Sequence, residues 1–289
     1  QGRMRKRLHE VRVQLEVTNA ALEEQRTSTQ HGLRYARQIQ QALLPDLGNA
    51  GHLVSEARVF DRSLQTVGGD SFWYGGHGDH HFIVILDCTG HGMPGAMLSM
   101  LLHGILNQLV YKDHETSASE LIRHTQQTLD RMLHRERSGS KDGAEMAVLH
   151  FNDSTGTVTY CGLGCSLVHT HQKQAEVLRG QRALPSMMQG WNGLVDVALN
   201  LDETSRIHLF TDGILDQFDP QQRVKFSLKR LVSMLKQQAN KPMEEATSAI
   251  NHGLSEWRGN ADQVDDMLLI ALKPSDHWLK KSVPVADAA

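Results

Sequence analysis

The sequence predicts an α+β fold in which mostly antiparallel strands carry helices on the outside and follow an N-terminal helical extension. The first 45 residues have a helix-forming composition with apolar residues at heptad spacing. From about residue 50, short apolar strands alternate with amphipathic helices. Several of these strands follow one another without an intervening helix, and such strands pair in the antiparallel sense.

The composition is that of an ordinary folded domain, with 39% hydrophobic and 22% charged residues among 289. The net charge of −3 provides no overall positive field, so we expect no nucleic-acid partner. Three cysteines are too few for a disulfide framework and suit a reducing compartment. Cys161 and Cys165 could be combined with His169 and His171, but this spacing fits no common zinc pattern.

The N-terminal segment reads as a short coiled-coil helix. Its seam residues are Leu8, Leu15 and Leu22, with Met4, Val11 and Thr18 in the companion positions. This spacing favours a two-stranded coiled coil, and a solvated helical leader is the alternative. The seam weakens at Thr29 and Gly32, so we expect a second helix over 33–44, ending before Pro45. The buried face of that helix is predicted to be Ile39, Leu43 and Leu44.

The chain starts at Gln1 and its first Met is at position 4, which indicates a segment of a longer protein. Its most apolar run, 93–110, contains Pro94, His103, Asn107 and Gln108 and would be a poor bilayer span. Any membrane attachment is therefore expected in an upstream part of the parent protein.

The remaining elements follow from local patterns. Residues 82–87 form a continuous apolar run ending in Asp87, which is typical of a buried strand. Turn-forming residues at 153–156 separate two strand patterns and predict a hairpin. The predicted strands are 82–87, 146–152, 157–163, 166–171, 195–201, 206–212 and 267–273. The predicted helices are 94–111, 115–135, 226–238 and 242–257, and the tail after Lys280 is predicted to be disordered.

Four acidic motifs stand at predicted strand ends. They are VGGD (67–70), DCTGHG (87–92), FTDG (210–213) and VDDM (264–267). An Asp beside a glycine at a strand end projects from a rigid element while the backbone turns away. Carboxylates gathered at one sheet edge repel each other, so they either raise their pKa values or hold hard cations. One such motif is usually an Asx-capped turn, whereas four in order indicate a site.

These four motifs, in this order, resemble the PPM family of metal-dependent protein phosphatases, in its bacterial SpoIIE/RsbU-type branch. The resemblance runs from about residue 39 to 272, and IQQALLP (39–45) resembles the segment that leads into those domains. It implies a central β-sandwich of two mostly antiparallel sheets flanked by helices. It also implies two divalent cations, Mn²⁺ or Mg²⁺, around a hydrolytic water.

The resemblance also implies a role for individual residues. Asp87 resembles the carboxylate that bridges both metals, and the Cys88 carbonyl resembles a backbone ligand. Asp212 and Asp265 resemble the carboxylates of the other metal. Asp70 resembles the acid beside the metals that binds directly or through water. Asp266 is given a supporting role, so that the candidate catalytic residues are Asp87 and Asp70.

Some positions depart from the family pattern. Eukaryotic relatives place a His, the candidate acid for the leaving group, where this chain has Thr89. His91 is expected to be a turn residue that caps the next helix. The His-rich loop at 75–81 is interpreted as a solvated hairpin turn rather than a metal site.

The implied function is hydrolysis of phosphoserine or phosphothreonine on a bacterial signalling protein, a STAS-domain anti-sigma-antagonist-like partner. The expected organisation is a helical dimerisation segment (1–45), a phosphatase domain (46–275) and a flexible tail (276–289). The helix is expected to form a homodimer, and the cytoplasmic domain to be the output of a receptor anchored in the inner membrane. The alternatives are a catalytically silent phosphoprotein-binding module and, disfavoured by the absence of its motifs, a metal-dependent phosphodiesterase.

Overall fold

The computed structural model describes residues 2–134, 142–181, 193–221 and 223–281. Its strands are β1 (Val54–Arg62), β2 (Ser71–His77), β3 (His80–Cys88), β4 (Ala144–Asn152), β5 (Thr157–Leu163), β6 (Leu167–His171), β7 (Gln174–Leu178), β8 (Val197–Ala198), β9 (Arg206–Phe210) and β10 (Met267–Pro274). Its helices are α1 (Gly2–Leu43), α2 (Met93–Asn107), α3 (Ala118–Met132), α4 (Asp212–Leu215), α5 (Ser227–Gln238), α6 (Met243–Arg258) and α7 (Asp276–Lys281).

The described strands form two five-stranded sheets, and every strand pairs with its neighbours in the antiparallel sense. One sheet has the order β1-β10-β9-β6-β7 and the other β2-β3-β4-β5-β8. The predicted α+β sandwich of two antiparallel sheets, with helices outside and a helical N-terminal extension, is confirmed.

Three apolar clusters hold the layers together. Between the sheets, Ile83 and Ile85 of β3 share a cluster with Leu268 and Ile270 of β10. Helices α2 and α3 cover the outer face of the β2–β5 sheet, and α5 and α6 cover the outer face of the other. Because both faces of β3 are buried, its sequence is continuously apolar. Each fully buried aliphatic side chain contributes about 1.5–3 kcal/mol relative to exposure.

Helix α2 continues into a π-helical turn, Gln108–Lys112. Within the described residues, Met93–Lys112 is the single helical stretch whose length and mean hydropathy of 1.2 would suffice to cross a membrane. Its most apolar window is 56% buried inside the fold, as in a core helix.

The N-terminal segment differs from the two-helix prediction, because α1 runs unbroken through Gly32 to Leu43. One helical glycine costs only about 1 kcal/mol relative to alanine, which is too little to end a helix of strong helix formers. The predicted buried face is wrong for Ile39 and Leu43, which are 37% and 42% exposed. Leu44 is partly buried against the cluster between the sheets.

The predicted tail is wrong for residues 276–281, which form α7. Trp278 is fully buried, packs edge-on against Phe151, and donates from its indole Nε1 to the His52 carbonyl at 3.0 Å. A single large aromatic side chain thus holds a polar segment against the core. The predicted disorder beyond this helix concerns residues 282–289, which lie outside the described residues.

Other boundaries differ locally. The strand predicted at 195–201 is reduced to the two residues of β8, and the strand predicted at 206–212 ends at Phe210. The sequence does not predict β1 or β7, and it indicates β2 only as the strand that leads into the hairpin turn at 75–81. β1 is exposed or half-buried at every residue after its first, β2 contains two glycines, and β7 has five residues, so each lacks a continuous apolar run.

Candidate active site

The strand topology brings the four acidic motifs to one edge of the sandwich. Asp70 directly precedes β2, whose first residue pairs with Leu86 of β3, and Asp87 follows Leu86. Asp212 follows β9 and Asp265 precedes β10, while Phe210 of β9 pairs with Leu269 of β10. Each antiparallel pair therefore delivers two carboxylates to the same end.

A threonine links the two sheets at this edge. Thr211 Oγ1 donates a hydrogen bond to Asp70 Oδ2 at 2.6 Å and accepts one from the Leu268 backbone N–H at 3.0 Å. The carboxyl groups of Asp87 and Asp212 lie within hydrogen-bonding reach of each other. Since Asp70 and Asp87 come from one sheet and Asp212 from the other, the site spans both layers.

Two glycines permit this approach. A Cβ at Gly69 would lie 2.9 Å from the Cys88 carbonyl oxygen, and a Cβ at Gly213 would lie 1.7 Å from the Asp266 carbonyl oxygen. A side chain at either position would push the acidic segments apart. The Cys88 carbonyl is thereby held next to the loop that carries Asp70.

The electrostatics are those of carboxyl groups that are crowded together and partly buried. Burial, followed by the nearby carboxyl groups of Asp70 and Asp212, raises the pKa of Asp87 to about 9. Burial also raises the pKa of Asp70 well above its usual range, although the Thr211 hydrogen bond opposes this. The pKa values of Asp212 and Asp265 are raised by partial burial first and by neighbouring carboxylates next. Divalent cations would neutralise this repulsion, and a set of oxygen donors fits Mg²⁺ or Mn²⁺.

Asp266 holds the loop that precedes Asp70. Its side chain is 3% exposed, and its two carboxylate oxygens accept hydrogen bonds from the backbone N–H groups of Leu64 and Gly69, both at 2.6 Å. Asp266 therefore fixes the loop before Asp70, which is a supporting position.

Several residues near the acidic motifs, which are given no catalytic role in the sequence analysis, make structural contacts instead. The buried Cys88 thiol has a pKa raised well above its ordinary value by burial, so it is a packing group. Thr89 Oγ1 accepts from the Gly143 N–H at 2.8 Å. His91 hydrogen-bonds Gln65 at 2.9 Å, and α2 has Gly92 at its N-cap with no side-chain capping bond, which corrects the expected role of His91 as a cap. The loop at 75–81 is the β2–β3 hairpin, as predicted.

Two residues at the site were missed by sequence reasoning. Glu145 pairs with Asp87 across β3 and β4, and burial and Asp212 raise the pKa of its carboxyl group. The second missed residue is Thr211, whose hydroxyl group links the two sheets. The antiparallel pairing of β4 with β3 would have indicated Glu145, whereas no local signal distinguishes Thr211 from a strand residue.

Residues 77–275 match the model of the family described as Stage II sporulation protein E (SpoIIE). The SiaA-PP2C domain of Pseudomonas aeruginosa is 25% identical, with 86% of this chain and 98% of that one covered and a TM-score of 0.76. No curated protein sequence matches the chain.

Two further solved structures share the fold. A PP2C phosphatase domain of SpoIIE from Bacillus subtilis, with a fragment of its regulatory domain, is 13% identical, with 76% of this chain and 62% of that one covered and a TM-score of 0.61. The RsbU and RsbW domains of a Mycobacterium tuberculosis protein are 22% identical, with 77% and 61% covered and a TM-score of 0.59. The chain belongs to the SpoIIE family and is a PP2C-type, metal-dependent protein serine/threonine phosphatase.

Proposed function

We propose that this site hydrolyses phosphoserine or phosphothreonine on a protein partner, with two divalent cations held by Asp70, Asp87, Asp212, Asp265 and the Cys88 carbonyl. The observation that carries the proposal is the cluster of acidic side chains from both sheets, with raised pKa values and mutual repulsion. Such cations lower the pKa of a bound water and neutralise charge on a transferring phosphoryl group.

The chain's own groups have separable tasks in this scheme. Asp87 has carboxylates from both sheets as neighbours, which supports a bridging role. One oxygen of Asp70 is engaged by Thr211, so the other is left for an ion or its water. The Cys88 carbonyl supplies a neutral oxygen ligand without use of the thiol. Mn²⁺ and Mg²⁺ both fit the donors, and RsbX, a fold relative with 17% identity, was solved in complex with magnesium.

Release of phosphate from an aryl phosphate tests the chemistry. We expect Mn²⁺- or Mg²⁺-dependent turnover that falls at least about a thousandfold in Asp87→Ala, because the metal pair supplies several kcal/mol of transition-state stabilisation. Cys88→Ala is the matched control and retains turnover within a few-fold. Turnover that survives both chelation and Asp87→Ala would contradict the proposal. Phosphoprotein binding without turnover in the parent chain would indicate a silent binding module instead.

We infer the class of partner from the SpoIIE/RsbU-type branch: a phosphorylated STAS-domain protein of a partner-switching system. A folded partner presents its phosphorylated residue together with a docking surface, so kcat/KM should exceed that of a short phosphopeptide. Comparing the dephosphorylation rates of a phosphorylated STAS protein and of its isolated phosphopeptide tests this. Equal kcat/KM values would argue against a dedicated partner.

We also propose that α1 forms a homodimer by pairing with its counterpart in a second chain. Its seam is exposed along its length: Met4 71%, Leu8 72%, Val11 62%, Leu15 58% and Leu22 61%. Burial of such a stripe is what drives two helices to associate. Deletion of residues 1–31 should change the oligomeric state and the activity together. A strictly monomeric truncation with unchanged activity per site would contradict a regulatory role.

We further propose that this phosphatase domain is the cytoplasmic output domain of a longer receptor, which is anchored in the inner membrane. It is supported by α1, which leads into the catalytic domain as one continuous helix that could transmit an upstream signal. Membrane fractionation of cells producing the full parent protein tests it. Recovery of the parent only in the soluble fraction would contradict it.

A further inference from the structure

A second group of ligand-type side chains lies on the β6–β7 hairpin. His169 and His171 are two residues apart on β6, so they project from the same face of the strand. Glu176 of β7 pairs directly with His169, which places its side chain on that face as well. One ring nitrogen of each histidine and one carboxylate oxygen of Glu176 lie within 4.8 Å of one another.

The loop before β9 orients both imidazoles. Ser205 Oγ shares a hydrogen bond with His169 Nε2 at 3.0 Å, and Asp202 Oδ2 lies 3.7 Å from His171 Nδ1. The two rings are stacked, with centroids 4.8 Å apart and an angle of 20° between their planes. A hydrogen bond between one ring nitrogen and a polar group, as His169 has with Ser205, is usual for histidines that ligate metals.

The three side chains differ in exposure. His169 is 2% exposed, His171 is half-buried and Glu176 is exposed, so the group lies at the margin of the core.

We propose that His169, His171 and Glu176 form a Zn²⁺ site that is separate from the catalytic carboxylates. Two nitrogens and one carboxylate oxygen suit zinc, with the fourth position left for water. The oxygen-only cluster at the active site suits Mg²⁺ or Mn²⁺ instead.

The position of the site indicates a structural role. Ser205 and Asp212 lie beyond opposite ends of β9, whose five residues span about 17 Å, so the zinc would lie at the opposite end of the sandwich from the catalytic carboxylates. An ion there would tie the edge hairpin β6–β7 to the loop at 202–205. Cys161 and Cys165, the residues the sequence offered as partners for these histidines, belong to the apolar clusters and not to this group.

Zinc binding by the full chain in excess Mg²⁺ tests the proposal. The chain is first stripped with a chelator, then dialysed against Zn²⁺ with Mg²⁺ present to fill the carboxylate cluster. We expect one retained Zn²⁺ per chain and a zinc-dependent rise in Tm. His171→Gln and Glu176→Gln should each weaken zinc binding at least tenfold and remove the rise in Tm, because each removes one of three ligands.

Two control variants make the result specific. Asp87→Asn disables the catalytic cluster and should keep the zinc. His252→Gln alters an exposed histidine on α6 that also lies beside a carboxylate, Glu256 at 3.3 Å, and should keep the zinc too. Zinc lost in Asp87→Asn or in His252→Gln would overturn the proposal. Unchanged zinc binding in Glu176→Gln, whose exposed side chain can be altered without disturbing the core, would also overturn it.

Discussion

Among individual residues, some acidic side chains of the site would face the ions, whereas others hold the surrounding backbone in place. Asp265 and Asp266 are adjacent in sequence but have different environments. Asp265 lies in the carboxylate cluster, whereas both oxygens of Asp266 are used by backbone N–H groups of the loop before Asp70. Adjacent acids in a motif can therefore have one chemical and one structural member.

Replacement of Asp266 by Asn tests this division. The amide would place an NH₂ donor against the N–H group of either Leu64 or Gly69, so one strong hydrogen bond would be lost. We expect a loss of about 2 kcal/mol in the free energy of unfolding, measured in urea, together with a lower kcat. Asp262→Asn, an exposed position in the same loop, is the control. A variant as stable and active as the parent would contradict the structural role of Asp266.

A buried histidine makes the stability of the folded state depend on pH. His150 is 5% exposed and stacks on Phe82, and burial, followed by the neighbouring His80 and His81, lowers its pKa to about 4. The unfolded chain takes up this proton near pH 6.5 and the folded chain only near pH 4. Stability is therefore fully present above pH 6.5 and decreases as the pH falls towards 4.

His150→Phe should flatten this dependence. Between pH 6.5 and 4, the slope of unfolding free energy against pH should decrease by up to one proton, about 1.4 kcal/mol per pH unit. Denaturant unfolding at several pH values measures the slope. Identical slopes in parent and variant would show that the histidine is not kept neutral by the fold.

At the scale of elements, α1 contacts the loop that positions Asp70. Gln40 Nε2 donates to the Gly68 carbonyl at 2.7 Å and to Ser99 Oγ of α2 at 3.2 Å. Arg37 Nη1 donates to the Thr66 carbonyl at 2.7 Å. The polar face of the helix, rather than the predicted apolar face, therefore meets the catalytic domain.

Gln40→Ala should lower kcat several-fold while changing the free energy of unfolding by no more than about 1.5 kcal/mol, since it removes neutral hydrogen bonds to a loop. Gln38→Ala, at an exposed position of the same helix, is the matched control. Aryl phosphate turnover and urea unfolding of both variants provide the comparison. Equal turnover in the two would mean that this contact does not reach the site.

The elements also show what a sequence can predict and why. Strands with continuous apolar runs, such as 82–87 and 146–152, were found because burial on both faces leaves an unmistakable pattern. The exposed edge strand β1 leaves no such pattern. The acidic motifs were recognisable locally, but the Thr211–Asp70 hydrogen bond joins residues 141 positions apart and depends on how the two sheets stack.

For the whole molecule, α7 closes one end of the sandwich. Trp278→Ala should cost about 3–5 kcal/mol of unfolding free energy, because a buried indole leaves a large cavity. His277→Ala removes a partly exposed hydrogen bond with Asp153 and should cost less than about 1 kcal/mol. Thermal or urea unfolding of both variants tests this. A Trp278→Ala variant as stable as the His277→Ala variant would contradict the structural role of α7.

The pairing of β1 with β10 has a consequence for biosynthesis. In the described part of the chain, β10 is the only strand hydrogen-bonded to β1, and it is synthesised roughly 210 residues later. At roughly 5–20 residues per second, the ribosome leaves β1 without its partner for about 10–40 seconds. The nascent sheet can therefore be completed only after nearly the whole domain has emerged. During that interval, the unpaired backbone of β1 is open to chaperones or to a neighbouring nascent chain.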